Sequence, residues 1–372
     1  MADLQWLLEI ESIAMNGIIN DGKGARYAVT VEAPTIRPGQ SSTLSAQLQL
    51  VAAQALPSGL RALDVQAQLS FTQKASGGFE ALRLESTTSG SDAQGGQLIA
   101  VNQAFDLALQ QAEGRATLSA VLDADLPQPQ LLMPQLAPLG AVQIQAQVRA
   151  STDGAAVTLA AADLNVSAAG APLLTVDLEQ AMQVGGEQKL SGELLHVTLN
   201  ELPLEWLNPW LAPGLRVEGP PVSLQCAVAA APQGDFSLRF AEPIKLGPLT
   251  VRDADVLLLE NISLMLDPEL AWRADQSLTY TLKSLSLSDR YGPFVSGTSA
   301  GQFSPNQPPE AGHYFAGITS RSQVQIGLQE LFQLPVLDGQ ASIVGGQLSV
   351  DVHVDGQAGI RFHRINECHL QP

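Results

Sequence analysis

Several groups of side chains in this 372-residue chain have types and spacings that bear on chemistry. Gly297-Thr298-Ser299-Ala300-Gly301 has the G-x-S-x-G form of a nucleophile elbow, where a serine hydroxyl projects from a sharp turn between a strand and a helix. The run continues into Gln302-Phe303-Ser304-Pro305 and a proline-rich stretch, a poor helix former, so the match reads as a coincidence in a flexible loop. His353, His363, Cys368 and His369 are metal-ligating types, yet no H-x-x-x-H or C-x-x-C spacing joins them. His353 falls on the polar side of an alternating segment, and the other three fall within the last ten residues, where chains fray. Asp253 and Asp255 are expected to share one strand face, as a carboxylate pair for acid–base work or calcium would. No third oxygen ligand comes at EF-hand spacing, so a hydrated outer face is the expected role. Trp206 and Trp210 read as part of a plug packed on a sheet rather than as headgroup contacts. Asn165-Val166-Ser167 and Asn261-Ile262-Ser263 fit the glycosylation sequon. No catalytic, cofactor-binding or metal-ligating set is expected.

Composition narrows the partners. The formal net charge is −18 although only 15% of residues are charged, and lysine is confined to Lys23, Lys74, Lys189, Lys245 and Lys283. Without a basic cluster there is nothing to neutralise phosphates, which excludes nucleic acid and disfavours an anionic membrane surface. Polar surface comes instead from 35 glutamines, neutral amides that keep a strand's outer face wet without lining up like charges. The two cysteines, Cys226 and Cys368, do not form a disulfide framework. Cys226 falls on the apolar side of its strand, where a buried free thiol is the expected state, with a single bridge to Cys368 as the alternative. No stretch reaches the ~18 apolar residues of a membrane-spanning helix, and the first basic side chain, Lys23, comes too late for a signal peptide. The chain is therefore either cytosolic or an excised part of a longer anchored protein. The abrupt apolar start from Leu4 to Ile13 favours the second.

The elements that must position all of these are strands. Leu44, Ala46, Leu48 and Leu50 alternate with Ser45, Gln47 and Gln49; Leu63, Val65, Ala67, Leu69 and Phe71 alternate with Asp64, Gln66, Gln68 and Ser70. Val142, Ile144, Ala146 and Val148 alternate with Gln143, Gln145, Gln147 and Arg149. The rhythm returns at Val222, Leu224, Cys226 and Val228, at Leu278, Tyr280 and Leu282, and at Leu348, Val350, Val352 and Val354. Period two is the period of a half-buried strand, and turn signals at Ser76-Gly77-Gly78, Asp153-Gly154 and Gly185-Gly186 separate the runs. The expected class is mainly β: an elongated, curved antiparallel sheet forming a groove, with one wet face and a few short helices.

Four corners punctuate the pattern, at Leu56-Pro57-Ser58-Gly59, Ala137-Pro138-Leu139-Gly140, Ala212-Pro213-Gly214 and Leu334-Pro335-Val336-Leu337-Asp338-Gly339. Pro57, Pro138, Pro213 and Pro335 stand 81, 75 and 122 residues apart, which reads as degenerate repetition in one elongated body. The approximate units are 1–56, 57–137, 138–212, 213–334 and 335–372. Short helices are expected over Gln130–Met133, Pro203–Asn208 and Gln329–Phe332, with Pro203 at a first helical position and Leu204, Leu207 and Leu211 on one face. Residues 289–317, rich in Gly, Pro, Ser and Asn, read as a flexible loop.

A one-faced sheet with so little helix must hide its apolar side. It can fold on a second sheet with a closed core, as in a structural or adhesive sandwich or solenoid on a bacterial surface. Otherwise it bends into a trough in which a guest replaces the missing half of the core. An acyl chain of roughly 16 carbons would gain on the order of 10 kcal/mol there, at ~0.8 kcal/mol per methylene. On periodicity alone the two alternatives stand level. In the trough the lining is Leu48, Leu63, Val65, Leu69, Val142, Ile144, Val148, Leu224, Leu278, Leu282, Leu348, Val350 and Val352.

The run from Leu202 to Gly219, Leu-Pro-Leu-Glu-Trp-Leu-Asn-Pro-Trp-Leu-Ala-Pro-Gly-Leu-Arg-Val-Glu-Gly, resembles segments of the AsmA-like superfamily, as does the weaker copy from Pro127 to Gly140. The similarity in style extends over roughly residues 10–360 and includes no invariant catalytic motif. The resemblance implies a non-enzymatic lipid-transfer protein of the Gram-negative envelope, held in the inner membrane by a helix that this chain lacks. It also implies a β-groove that conducts phospholipid acyl chains through the periplasm, and partners among inner- and outer-membrane envelope proteins. The chain is short for that family.

Overall fold

The computed structural model describes residues 10–20, 25–33, 35–52, 60–75, 79–110, 115–153, 156–185, 190–304, 317–331, 334, 347–355 and 359–366. The first and fourth corners, apart from Leu334, and residues 305–316, Cys368 and His369 lie outside them. The chain divides into two compact units, Met1–Gln188 and Lys189–Pro372. Both are antiparallel sheet, as expected.

In the first unit the strands are β1 (Ile13–Asn20), β2 (Arg26–Ala33), β3 (Ser41–Ala52), β4 (Ala62–Gln73), β5 (Phe79–Ser91), β6 (Gln97–Gln110), β7 (Arg115–Leu126), β8 (Val142–Thr152) and β9 (Ala156–Ala168), followed by β10 (Ala171–Leu178) and β11 (Met182–Gly185). From β1 to β9 each strand pairs with the one before it, and β10 and β11 share the far edge of β9. Among the described residues no register joins β1 to β10 or β11, so the unit is an open sheet and not a barrel.

The second unit contains β12 (Gly192–Leu202), β13 (Leu215–Glu218), β14 (Val222–Ala230), β15 (Phe236–Phe240), β16 (Ile244–Asp253), β17 (Val256–Trp272), β18 (Leu278–Asp289), β19 (Gly292–Phe303), β20 (Ile318–Gly327), β21 (Gln347–Asp355) and β22 (Gly359–Asn366). The long strand β17 carries β18 on one edge and two partners on the other: β16 beside its first half and β15 beside its end. A central strand tolerates Pro268 because the register shifts between Asp267 and Pro268, where a ladder N–H is dispensable.

Two expectations are corrected by the pairing. Residues 292–303 are strand rather than loop, paired with β18 on one side and β20 on the other. Glycine and serine made this stretch look unstructured, but the turn is only Arg290-Tyr291, closed by Asp289, whose Oδ1 accepts from Tyr291 N at 2.7 Å and Gly292 N at 3.2 Å. Asp253 and Asp255 do not share a strand face either: Asp253 pairs with Val256, and Ala254-Asp255 form the hairpin turn, with Ala254 at φ +50°.

The three expected short helices are present, as 3-10 turns over Pro129–Leu131 and Leu204–Trp210 and one α-turn over Leu328–Leu331, and a further 3-10 turn, Pro134–Leu139, runs into the second corner. Pro203 caps the Leu204–Trp210 turn from outside, at φ −60°, ψ 127°, rather than opening it. Its leucines also part company, with Leu204 only 2% exposed and Leu207 38% exposed. Gly219 explains the seat of Leu204: a Cβ there would stand 3.0 Å from Leu204 Cδ1 and 2.9 Å from Leu249 Cδ2. Asn208 Oδ1 accepts from Val217 N at 2.8 Å and ties the turn to β13. Leu204→Ala is expected to cost roughly 2–5 kcal/mol in urea unfolding, and Leu207→Ala no more than about 0.5 kcal/mol.

Candidate functional site

The two faces of the first unit are built by register. One row runs Asn16, Thr30, Gln47, Gln66, Thr87, Asn102, Asp123, Gln145, Asn165 and Thr175, one residue from each of ten paired strands and every one polar. The neighbouring row on the opposite face runs Gly17, Val29, Leu48, Val65, Thr88, Val101, Ala124, Ile144, Val166 and Leu174. At 4.7–4.9 Å between strands, this apolar row is about 43 Å long. The second unit repeats the arrangement: Leu264, Leu287, Val295, Ile326 and Leu348 form one row, and Leu266, Leu285, Gly297, Val324 and Val350 the next.

These rows are not sealed. Leu48, Leu63, Val65, Leu69, Ile144, Val148, Leu224, Leu278, Leu282, Leu348, Val350 and Val352 are all half-buried, where the middle of a sandwich core would be closed off. Val142 is the exception at 5% exposure, because it comes just after the corner at Leu139 and packs into the strand end. Closed clusters sit mainly towards strand ends, as where Ala33, Ile36 and Phe71 meet with Leu69 leaning on them, and where Ile262, Phe294 and Leu334 meet. Leu69 is thus partly structural. Cys226 is buried, as expected, and burial raises its thiol pKa.

The apolar face extends beyond the lining expected from alternation. Leu118, Leu122 and Leu126 on β7 belong to the apolar face of the first unit, and Val324 and Ile326 on β20 to that of the second; their alternation with Ser119, Asp123, Gln323 and Gln325 is a readable signal. Phe105, Val166 and Leu174 were hidden by the polar residues and bulge around them.

On the polar face, amides gather round a carboxylate. Gln49 Nε2 donates to Asp64 Oδ2 at 2.7 Å and Gln47 Nε2 at 3.0 Å, while Gln66 Nε2 donates to Oδ1 at 3.0 Å. These bonds, that of Gln49 foremost, hold the Asp64 carboxyl below its ordinary value. An open cleft of about 540 Å³ nearby is lined by Ser45, Gln47, Gln66, Gln68, Glu85 and Thr87, without a nucleophile–base pair. His353 is exposed on the polar side of β21 in the second unit, and among the described residues no group of three metal-ligating side chains converges. Trp206 has its indole Nε1 buried without a partner, while Trp210 is 67% exposed.

Ser299 is no elbow. It lies mid-strand in β19, between Leu282 and Ser322, with strand continuing on both sides. The flanking glycines are demanded by packing, since a Cβ on Gly297 would stand 2.5 Å from the Gln323 carbonyl oxygen and one on Gly301 2.5 Å from that of Thr319. Among the described residues no helix is long and apolar enough to cross a membrane. Comparison with protein-family models, curated proteins and solved structures gives no match.

Two measurable outcomes rest on this geometry. Gly297→Ala is expected to destabilise by about 1–3 kcal/mol, read by thermal unfolding, because the carbonyl in its way belongs to backbone. Folding favours the ionised form of Asp64, so its contribution is present above the ordinary aspartate pKa of about 3.9 and is lost as pH falls through the lower folded value. The drop in urea midpoint between pH 7 and pH 3 should therefore be smaller in Asp64→Asn than in the parent.

Proposed function

We propose that this chain is a non-enzymatic binding and transfer protein for lipid acyl chains, which lie along the apolar face of its sheet. The observation that carries the reading is the unsealed row from Val29 to Leu174, half-buried throughout and one face away from a row that is polar throughout. A lone apolar face of this extent is rarely left to water, and such patches mark sites of interaction. The lining is aliphatic, with few aromatic anchors of the kind that concentrate binding energy in protein–protein contacts. Flexible chains of methylenes match a surface of that kind, each buried methylene contributing ~0.8 kcal/mol.

The residues from Leu202 to Gly219 that resemble the AsmA-like superfamily support the same reading. On that resemblance the proposal extends to the periplasm of a bacterial envelope, to phospholipid as cargo, and to envelope proteins of the inner and outer membranes as partners. The same resemblance extends the proposal to attachment at the inner membrane.

Native mass spectrometry after incubation with phosphatidylethanolamine–phosphatidylglycerol vesicles tests the proposal. The expected result is bound phospholipid in the parent and several-fold lower occupancy in Val65→Asp and Ile144→Asp, with circular dichroism and melting temperature retained. A chain that stays lipid-free, or unfolding of both variants as in a closed core, would overturn it.

A further inference from the structure

The apolar face of the second unit contains a hydroxyl cluster at its centre. Tyr280 Oη lies 3.1 Å from Ser299 Oγ, and Ser299 Oγ lies 2.8 Å from Ser322 Oγ, linking three adjacent strands. The arrangement depends on Gly301, the register partner of Tyr280: a Cβ there would stand 2.6 Å from Tyr280 Cε1, so the phenol can lie across the bare backbone and reach Ser299. All three side chains are part-buried, and apolar residues flank them, Leu278 and Phe303 towards one strand end and Leu285 and Val324 towards the other.

Three hydroxyls carry three donor hydrogens, and two bonds among them consume two. One O–H of the three remains to donate outward, on a face where a polar group is costly to cover unless it is bonded. Across the described positions of β18 to β21 the charged side chains lie away from the cluster: Lys283 lies at the register shift and binds Glu269 Oε1 at 2.7 Å on the polar side, Arg321 alternates to the polar face, and Asp289 closes the hairpin turn at the strand end. A phosphate has no counter-charge here. A neutral acceptor does have a donor.

Resting on the acyl-chain reading above, we infer that the Tyr280–Ser299–Ser322 cluster is a hydrogen-bonding site for the ester carbonyl of a bound acyl lipid. The ester linkage sits at the hydroxyls, the tails extend over the aliphatic rows, and the charged headgroup stays in solvent. The G-x-S-x-G run then serves recognition, with its serine as a bond donor and its glycines as clearance.

The test compares dioleoyl phosphatidylcholine with its diether analogue, which lacks both carbonyls, each presented in vesicles to the full chain and read by native mass spectrometry. The parent is expected to favour the diester by about five-fold, the size of one net hydrogen bond. The triple variant Tyr280→Phe/Ser299→Ala/Ser322→Ala, which leaves no donor in the cluster, should abolish that preference, with circular dichroism and melting temperature retained. Equal binding of both lipids by the parent, or a preference that survives the triple variant, overturns the ester site while the acyl-chain reading stands. Binding of neither lipid overturns both.

Discussion

In an antiparallel sheet a one-residue slip sends every side chain of a strand to the opposite face, so a face ten strands wide stays apolar only if each pairing keeps the same parity. The first unit does this from β1 to β10, and the site proposed above exists because of it. Where the register does shift, as between Arg149 and Ala150 or between Pro172 and Leu174, the apolar residues of the next stretch still return to the same face, Leu174 beside Val166. The bulges absorb twist without exchanging the faces.

Holding such a face half-open places a demand on its reverse. A polar face made of acids and bases would repel or over-pair along each row; here the rows are mainly amides and hydroxyls, with charge admitted locally, as where three glutamines surround Asp64. Polar residues on the apolar side are equally local. Ser86 donates to Gln103 at 3.3 Å in the first unit, and the tyrosine–serine cluster occupies the second. In both, the polar atoms meet side chains of the neighbouring strand, which limits what their burial costs.

Much of this was legible in the sequence because period two is a direct record of a two-faced strand. β3, β4, β8, β14 and β21 could be read from alternation alone, and the second and third corners from their prolines. The errors arose where local composition and pairing disagree. Gly292–Phe303 looks like loop, but Gly297 and Gly301 stand where neighbouring carbonyls leave no room for a Cβ, a constraint set by β20 and invisible in β19. Asp253 and Asp255 looked like a strand pair because a hairpin that turns on a left-handed alanine carries no glycine to announce it. The hydroxyl cluster was unreadable for a related reason: Tyr280, Ser299 and Ser322 become neighbours only through register, and two of the three are commonplace serines.

The order of the strands in the first unit has a kinetic side. Because each strand up to β9 lies against its predecessor in the chain, its partner is always the segment synthesised just before it. Loop-closure entropy is then paid in short hairpin steps, and the slow search that burdens sheets with distant partners is avoided. Such a sheet is suited to growing by accretion at one edge as the polypeptide emerges, each new hairpin templated by the ribbon already laid down.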